Sequence, residues 1–136
     1  MKDVVIIGGG KIGSAIALML ADSGAYKITV ADRNEAQLAS IDRHPAISTA
    51  VVDISDKASL DAALTGKFAV LSAAPFHLTG AIAESAARTG THYLDLTEDV
   101  ATTRKVEQLA KNAKTAFIPQ CGLAPGFVSI VAADLA

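Results

Sequence analysis

The chain has 136 residues, of which 51% are apolar and 19% are charged, and its formal net charge at pH 7 is −2. This composition excludes a disordered tail and gives no support for nucleic-acid binding, which normally uses a basic face. The length allows one domain, and the single cysteine, Cys121, excludes an internal disulfide.

Short apolar runs alternate with segments of helical spacing from the first residues onward. The predicted strands cover residues 4–7, 28–30, 47–53, 68–73, 93–94 and 115–118. The predicted helices cover residues 12–20, 34–41, 57–64, 77–89 and 100–113, with a further helix from Phe127. Regular alternation of this kind predicts an α/β fold, in which a doubly wound parallel sheet carries helices on both faces. We expect about six strands in the order 3-2-1-4-5-6.

Two apolar segments need to be distinguished from targeting or membrane segments. The run over residues 4–7 is too short for the core of a signal peptide, and it follows Asp3. Residues 115–133 carry no charge, but Pro119, Pro125 and Gly126 interrupt that stretch. We therefore expect a soluble, cytoplasmic protein that does not contact a membrane.

A glycine-rich motif follows the first predicted strand and opens the first predicted helix. Residues 8–13 read GGGKIG and fit the pattern G-x-G-x-x-G in the structural setting that gives it meaning. Gly8 permits a tight turn, Gly10 lets the backbone approach a pyrophosphate, and Gly13 lets the helix pack on the strand. The helix start at Lys11 and Ile12 then offers free N–H groups to the phosphates. The motif predicts a dinucleotide site.

The cofactor prediction becomes more specific at the ends of the second and third strands. Asp32 stands where a carboxylate accepts hydrogen bonds from the ribose hydroxyls of NAD and repels the 2′-phosphate of NADP. Arg33 leaves NADP open, because an arginine there can pair with that phosphate. We favour NAD. Asp53 is either an adenine-side contact or a loop cap before Ser55.

The loops after the fourth and sixth strands are expected at the same edge of the sheet. Small residues at Ala73 and Ala74, with a turn fixed by Pro75, leave room for the nicotinamide ribose. His77 is a weak candidate for proton transfer, and we favour a solvent-facing role. Cys121 is a weak candidate for a nucleophile, against a buried apolar cysteine near the cofactor.

The remaining polar residues suggest no strong catalytic assignment. Asp95, Glu98 and Asp99 follow the fifth strand, where they either bind an amino group or cap the next helix, and we favour capping. His44 and His92 are expected to be structural. Three histidines and one cysteine at wide spacing show no metal-ligand pattern, so we expect no metal.

With these residues placed, the chain resembles the saccharopine dehydrogenase-like family, and in particular its saccharopine reductase and lysine 6-dehydrogenase branch. Three segments carry the resemblance: VVIIGGGKIGSAIALML with ITVADRN, SAAPFHLTGAIAESAARTGTHYLDLTED, and PQCGLAPGFVSIVAADLA. The resemblance implies an NAD(P)-dependent oxidoreductase that acts on a C–N bond of a lysine-type amino acid or imine. It places the cofactor on Gly8, Gly10, Gly13 and Asp32, and the nicotinamide against residues 73–75 and 121–126.

The resemblance also implies a second domain that binds the small amino-acid substrate and forms a homodimer. We expect residues 1–126 to form the NAD(P)-binding Rossmann domain, and residues 127–136 to begin a helix that leads toward that absent domain. The chain alone is then expected to be inactive. Two alternatives stay open: a regulatory nucleotide-sensing Rossmann domain, and a semialdehyde dehydrogenase that uses Cys121.

Overall fold

Strands and helices alternate along the whole of the computed structural model, which describes residues 1–122, 126 and 128–135. The strands are β1 Lys2–Ile7, β2 Tyr26–Asp32, β3 Ile47–Val51, β4 Ala69–Ser72, β5 His92–Asp95 and β6 Phe117–Ile118. The helices are α1 Lys11–Asp22, α2 Glu35–Ala39, α3 Lys57–Leu64, α4 Phe76–Thr89, α5 Val100–Ala110 and α6 Val128–Leu135.

The strands form one parallel sheet of six strands in the order β3-β2-β1-β4-β5-β6. This order confirms the predicted arrangement. β1 lies at the centre, where Ile6 and Ile7 are 0% and 1% exposed, because both faces of the strand are covered. All carboxyl ends of the strands meet at one edge of the sheet, so the loops that follow them are neighbours in space.

Helices cover both faces of the sheet, as predicted. Alternate side chains of β1 point to opposite faces, so Val5 and Ile7 join one apolar cluster while Val4 and Ile6 join another. The first cluster packs against residues of α3, α4 and α5, and the second against residues of α1 and α2. The core therefore consists of two layers separated by the sheet.

Several predicted boundaries differ from the observed ones. The third strand ends at Val51 rather than at Asp53, because the Asp53 carboxylate folds the chain into a turn with Ser55. Helix α5 ends at Ala110 rather than at residue 113, where a turn replaces the helix. Apolar spacing predicts the buried face of a helix better than its last residue.

Helix ends follow local side-chain chemistry. Asp56 caps α3 by accepting hydrogen bonds from the N–H groups of Ala58 and Ser59. Gly90 ends α4 in the left-handed conformation, with φ of 68°.

Two sequence predictions lie at least partly outside the described residues. They are the loop 119–126, of which residues 123–125 are not described, and the helix start at residue 127. None of the helices in the described part of the chain is both long enough and apolar enough to cross a membrane.

Candidate functional site

The glycine-rich loop joins β1 to α1 at the carboxyl edge of the sheet. Gly8 has φ of 113°, and a Cβ atom there would lie 2.8 Å from the carbonyl oxygen of Ala73. A Cβ atom on Gly13 would overlap the carbonyl oxygen of Gly8. Glycine at these two positions lets the loop pass close to β4 and lets α1 pack against the loop.

Gly10 differs from these two glycines because an added Cβ would meet no atom closer than ordinary van der Waals contact. It has an ordinary backbone conformation, and the nearest atom to an added Cβ is Nε2 of Gln37 at 3.5 Å. It is also the N-cap of α1, and no side chain caps that helix. The first N–H groups of α1 have no partner within the helix, and an anion binds readily at such a helix start.

Asp32 holds the glycine loop in place. One carboxylate oxygen accepts a hydrogen bond from the Gly9 N–H at 2.9 Å, and the other accepts one from the Asn34 N–H at 2.9 Å. Asn34 in turn caps α2. The carboxylate therefore links the loop after β1 to the start of α2, while each oxygen keeps a lone pair for a ligand.

Two cavities flank the glycine loop. The β3-side groove, of about 520 Å³, lies between the loops after β1, β2 and β3 and the start of α4. The β5-side cavity, of about 380 Å³, lies between α1, the start of α4 and the loop after β5. Ala73 and Ala74 line both, so the two spaces adjoin at the end of β4.

The structure brings most of the predicted site residues to these two spaces. The β3-side groove is lined by Gly8, Gly10, Asp32, Arg33, Asp53, Ala73, Ala74, Pro75 and His77. The β5-side cavity is lined by Ile12, Ala73 and Ala74. Lys11, Gly13 and Cys121 are in neither lining: Lys11 is exposed at the helix start, and Gly13 is buried against Gly8.

His77 faces solvent, as the sequence favoured. It is exposed and lines the β3-side groove, whereas its neighbour Phe76 lines the β5-side cavity. The two rings meet edge to face, 5.9 Å apart. Proton transfer by His77 stays a prediction.

Several lining residues were not singled out from the sequence. Gln37, Ile54 and Leu78 line the β3-side groove, and Thr79 lines the β5-side cavity. All four lie in loops or first helical turns directly after the strands. That position alone could have identified them.

Asp53 forms a turn with Ser55 and also lines the groove. Its carboxylate accepts hydrogen bonds from the Ser55 hydroxyl at 2.6 Å and the Ser55 N–H at 2.9 Å. These bonds, together with the charge of Arg33, hold the pKa of Asp53 below its usual value. The loop-cap role is therefore present, and an adenine contact stays a prediction.

The three acidic residues after β5 take different roles. Asp99 caps α5 by accepting a hydrogen bond from the Thr102 N–H at 2.8 Å, which confirms the capping prediction for this residue. Glu98 is exposed at the β5-side cavity. Asp95 does not cap the helix, because it is fully buried and accepts hydrogen bonds from Tyr93, Thr97 and Gln120.

Cys121 is exposed, so the prediction of a buried apolar cysteine is wrong. Its thiol donates to the carbonyl oxygen of Ile118 at 3.2 Å. Partial burial of the sulfur, and the nearby charge of Asp95, raise the pKa of the thiol above its ordinary value. A raised pKa disfavours the thiolate and so weakens the nucleophile hypothesis.

The residue before Cys121, Gln120, has a backbone φ of 61°, a conformation that costs about 1–2 kcal/mol outside glycine.

Two histidines have structural contacts, as predicted. His44 meets Asp22 at 3.2 Å through Nε2, and its Nδ1 accepts from the Ala46 N–H. His92 accepts from the Ala116 N–H through Nδ1 and packs edge to face on Phe68. Both lie away from the two cavities.

Comparisons with known proteins agree with this geometry. The family described as "Saccharopine dehydrogenase NADP binding domain" matches residues 4–118. The chain is 29% identical over 126 residues to a saccharopine dehydrogenase (NADP+, L-glutamate-forming) of Pyricularia oryzae, across 92% of the chain and 28% of that protein.

Solved structures show the same fold. An apo saccharopine dehydrogenase (L-Glu forming) from Saccharomyces cerevisiae superposes with a TM-score of 0.88 at 24% identity, over 99% of the chain and 30% of that protein. A Rossmann-fold NAD(P)-binding family protein from Shigella flexneri superposes with a TM-score of 0.66 at 19% identity, over 88% of the chain and 66% of that protein. The chain thus spans less than a third of the two saccharopine dehydrogenases.

Proposed function

This chain belongs to the saccharopine dehydrogenase NADP-binding domain family, and from that premise we propose that it is the cofactor domain of an oxidoreductase acting at a C–N bond. The observation that carries the proposal is the uncapped start of α1 at Gly10, which has a cavity on either side. A pyrophosphate fits this place, because the N–H groups of the helix start attract anions and no Cβ atom obstructs the approach.

The adenosine half of the dinucleotide belongs in the β3-side groove. Asp32 stands at the ribose, with both oxygens already engaged by backbone N–H groups that offset part of its charge. Arg33 is exposed on the same groove, where a guanidinium can pair with a 2′-phosphate. The sequence favoured NAD and left NADP open. The matching family is described as NADP-binding, so we propose NADP as the cofactor and keep NAD as the alternative.

The nicotinamide half belongs in the β5-side cavity, against Ala73, Ala74 and Thr97. When bound there, the dinucleotide supplies or accepts a hydride. The residues of this chain orient the ring and leave one side of the cavity open for the substrate. We propose a lysine-type amino acid or imine as that substrate, because the relatives in Pyricularia oryzae and Saccharomyces cerevisiae are saccharopine dehydrogenases.

The remaining assignments concern the larger protein. We propose that residues 1–126 form the cofactor domain and that residues 127–136 lead to a further domain, which binds the substrate and forms a homodimer. The cytoplasm is the proposed compartment, since the single cysteine is a free thiol. We propose neither a nucleic acid nor a membrane as a partner.

The two alternative hypotheses, a nucleotide sensor and a semialdehyde dehydrogenase, have less support. A nucleotide sensor explains the glycine loop, but nothing in that function calls for the β5-side cavity beside it. A semialdehyde dehydrogenase needs a reactive thiolate, and the raised pKa of Cys121 opposes one.

Isothermal titration calorimetry with NADP+, NAD+ and ATP tests the cofactor assignment. We expect the chain to bind both dinucleotides more tightly than ATP. In Gly10→Ala, the added methyl group occupies the approach of the pyrophosphate, while the fold stays intact because its nearest neighbour is 3.5 Å away. We expect binding to weaken about tenfold or more, as when a charge-assisted hydrogen bond is lost.

Gly24→Ala is the matched control. Its φ is 76° and its added Cβ meets nothing within 4 Å, so it lowers stability far from the loop without changing binding. Tight binding of ATP alone would favour a nucleotide sensor. Equal binding by Gly10→Ala and the wild-type chain would contradict the proposed position of the pyrophosphate.

A further inference from the structure

A buried carboxylate lies at the carboxyl end of β5, beside the β5-side cavity. Asp95 is 0% exposed, and its side chain accepts from neutral groups: the Tyr93 hydroxyl at 2.6 Å, the Thr97 N–H at 3.1 Å and the Gln120 N–H at 2.9 Å. A buried charge is tolerated only when its oxygens are hydrogen-bonded, and here both are. Because burying a charged carboxylate costs free energy, its presence suggests a specific structural or functional role.

One oxygen of this carboxylate joins two loops. Oδ1 accepts both from Thr97, which lines the β5-side cavity, and from Gln120, which follows β6. The backbone of Asp95 adds a third link, since its carbonyl oxygen accepts from the Cys121 N–H at 2.7 Å. Thr97 and Gln120 therefore cannot move apart without breaking a hydrogen bond to a buried charge.

The backbone conformation of Gln120 is a second observation that supports the connection between the two loops. It holds a positive φ of 61°, which a side chain adopts only when its surroundings impose it. The Oδ1 bond to its N–H and the neighbouring bond from Cys121 impose that conformation. The backbone after β6 thus depends on the carboxylate after β5.

We propose that Asp95 is a positioning residue, which couples a dinucleotide seated against Thr97 to the backbone conformation of Gln120 and Cys121. The inference rests on the proposed binding of the nicotinamide half in the β5-side cavity. Tyr93 orients the carboxylate through Oδ2, and its burial and bond to Asp95 raise the pKa of the phenol, so it remains a donor.

The single cysteine of the chain reports on this coupling, because it follows Gln120 directly. The experiment measures the rate of alkylation of Cys121 by iodoacetamide, with and without saturating NADPH. In the wild-type chain we expect NADPH to change the rate about fivefold or more, the scale of an ordinary coupling between sites. An unchanged rate, while fluorescence shows that NADPH is bound, would overturn the proposal.

Variants separate the link from general damage. Asp95→Ala removes the shared acceptor, so NADPH should no longer change the alkylation rate although it still binds. Asp95→Asn keeps an oxygen for both N–H groups and should retain the effect. Tyr93→Phe removes the bond to Oδ2 alone and should retain it as well. An effect that persists in Asp95→Ala, or disappears in Tyr93→Phe, contradicts the assignment to Oδ1.

A second readout needs neither cofactor binding nor the alanine variant. Asp95→Asn removes a negative charge beside Cys121, so the pH profile of alkylation should move to lower pH. An unmoved profile contradicts the placement of the carboxylate against this loop. If the wild-type chain bound no dinucleotide, the proposed function would fail, whereas this profile would still decide whether the Asp95 carboxylate lies against this loop.

Discussion

At the scale of single residues, the carboxylate at the end of β2 already makes structural hydrogen bonds without a ligand. Asp32 binds the Gly9 N–H and the Asn34 N–H, so part of its charge is already compensated by backbone dipoles. The repulsion that it exerts on a 2′-phosphate is therefore weaker than that of a carboxylate without partners. Its neighbour Arg33 is exposed, which leaves a guanidinium available at the same groove.

Arg33→Ala tests which of these two residues sets the cofactor preference. We expect NADP+ binding to weaken about tenfold or more, since hydrogen bonds to charged groups are worth roughly 1.5–3 kcal/mol. NAD+ binding should stay within about twofold, because NAD+ lacks the 2′-phosphate that the guanidinium binds. Calorimetric titration of both dinucleotides measures the two changes.

Arg43→Ala is the control, because Arg43 is also exposed but does not line either cavity. Equal losses for NADP+ and NAD+ in Arg33→Ala would indicate damage to the groove rather than a lost phosphate contact. An unchanged affinity for NADP+ would remove Arg33 from the site.

At the scale of helices, side chains that line neither cavity connect three neighbouring helices, α3, α4 and α5. Asp61 of α3 accepts two hydrogen bonds from Arg88 of α4, at 3.0 and 2.7 Å, and one from the buried Ser85 hydroxyl at 2.5 Å. Lys105 of α5 pairs with Glu84 of α4 at 2.7 Å. These contacts connect α3, α4 and α5 in chain order.

The Asp61 cluster predicts how stability responds to acid. Its hydrogen bonds with Arg88 and Ser85 lower the pKa of Asp61 from 3.8 to about 2. A carboxylate with a lowered pKa in the folded state contributes stability above its unfolded pKa and loses it as the pH falls. The contribution should be fully present at pH 5 to 7 and should disappear between about pH 4 and pH 2.

Thermal unfolding of the wild-type chain and Asp61→Asn, followed by circular dichroism across this pH range, measures the effect. The wild-type chain should unfold at a higher temperature near neutral pH, and the two curves should converge at the acid end. Glu84→Gln serves for comparison, because the exposed pair with Lys105 is expected to contribute little. A constant difference between the wild-type chain and Asp61→Asn down to pH 2 would contradict the ion-pair explanation.

At the scale of the whole molecule, the sheet order places the glycine loop between two cavities. β1 lies between β2 and β4, so the loops on its two sides diverge and leave a crevice at the carboxyl edge. The β3-side groove and the β5-side cavity are the two ends of that crevice, joined at Ala73 and Ala74. A ligand with two linked halves therefore makes more contacts than either half alone.

Thermal shifts with dinucleotide fragments test this division. Adenosine 2′,5′-bisphosphate matches the β3-side groove, nicotinamide mononucleotide matches the β5-side cavity, and NADP+ spans both. At 100 times its dissociation constant a ligand adds about 2.7 kcal/mol to the stability of the folded state. We expect each fragment to need a much higher concentration than NADP+ to reach the same shift.

Competition between the two fragments tests whether they bind at different ends of the crevice. The two fragments should bind together, because they fill different ends of the crevice, while NADP+ should displace both. Mutual exclusion of the fragments would indicate a single pocket and would contradict the division into two halves.

The sequence by itself determined the α/β fold, the strand order, the glycine loop and the class of cofactor. These features follow from short-range patterns: apolar runs, helical spacing and glycines at fixed offsets between a strand and a helix. Helix ends were less accurate, as α5 shows, because apolar spacing does not mark the last helical residue.

The tertiary structure alone decided which side chains meet. The Asp32 bond to Gly9 spans 23 positions along the chain, and the Asp95 bond to Gln120 spans 25. Both depend on the register of neighbouring strands, Ile7 beside Ala31 and Leu94 beside Ile118, which no local pattern specifies. The same reason explains His77: the sequence placed it after β4, and only the packed loops showed that it lines the β3-side groove rather than the β5-side cavity.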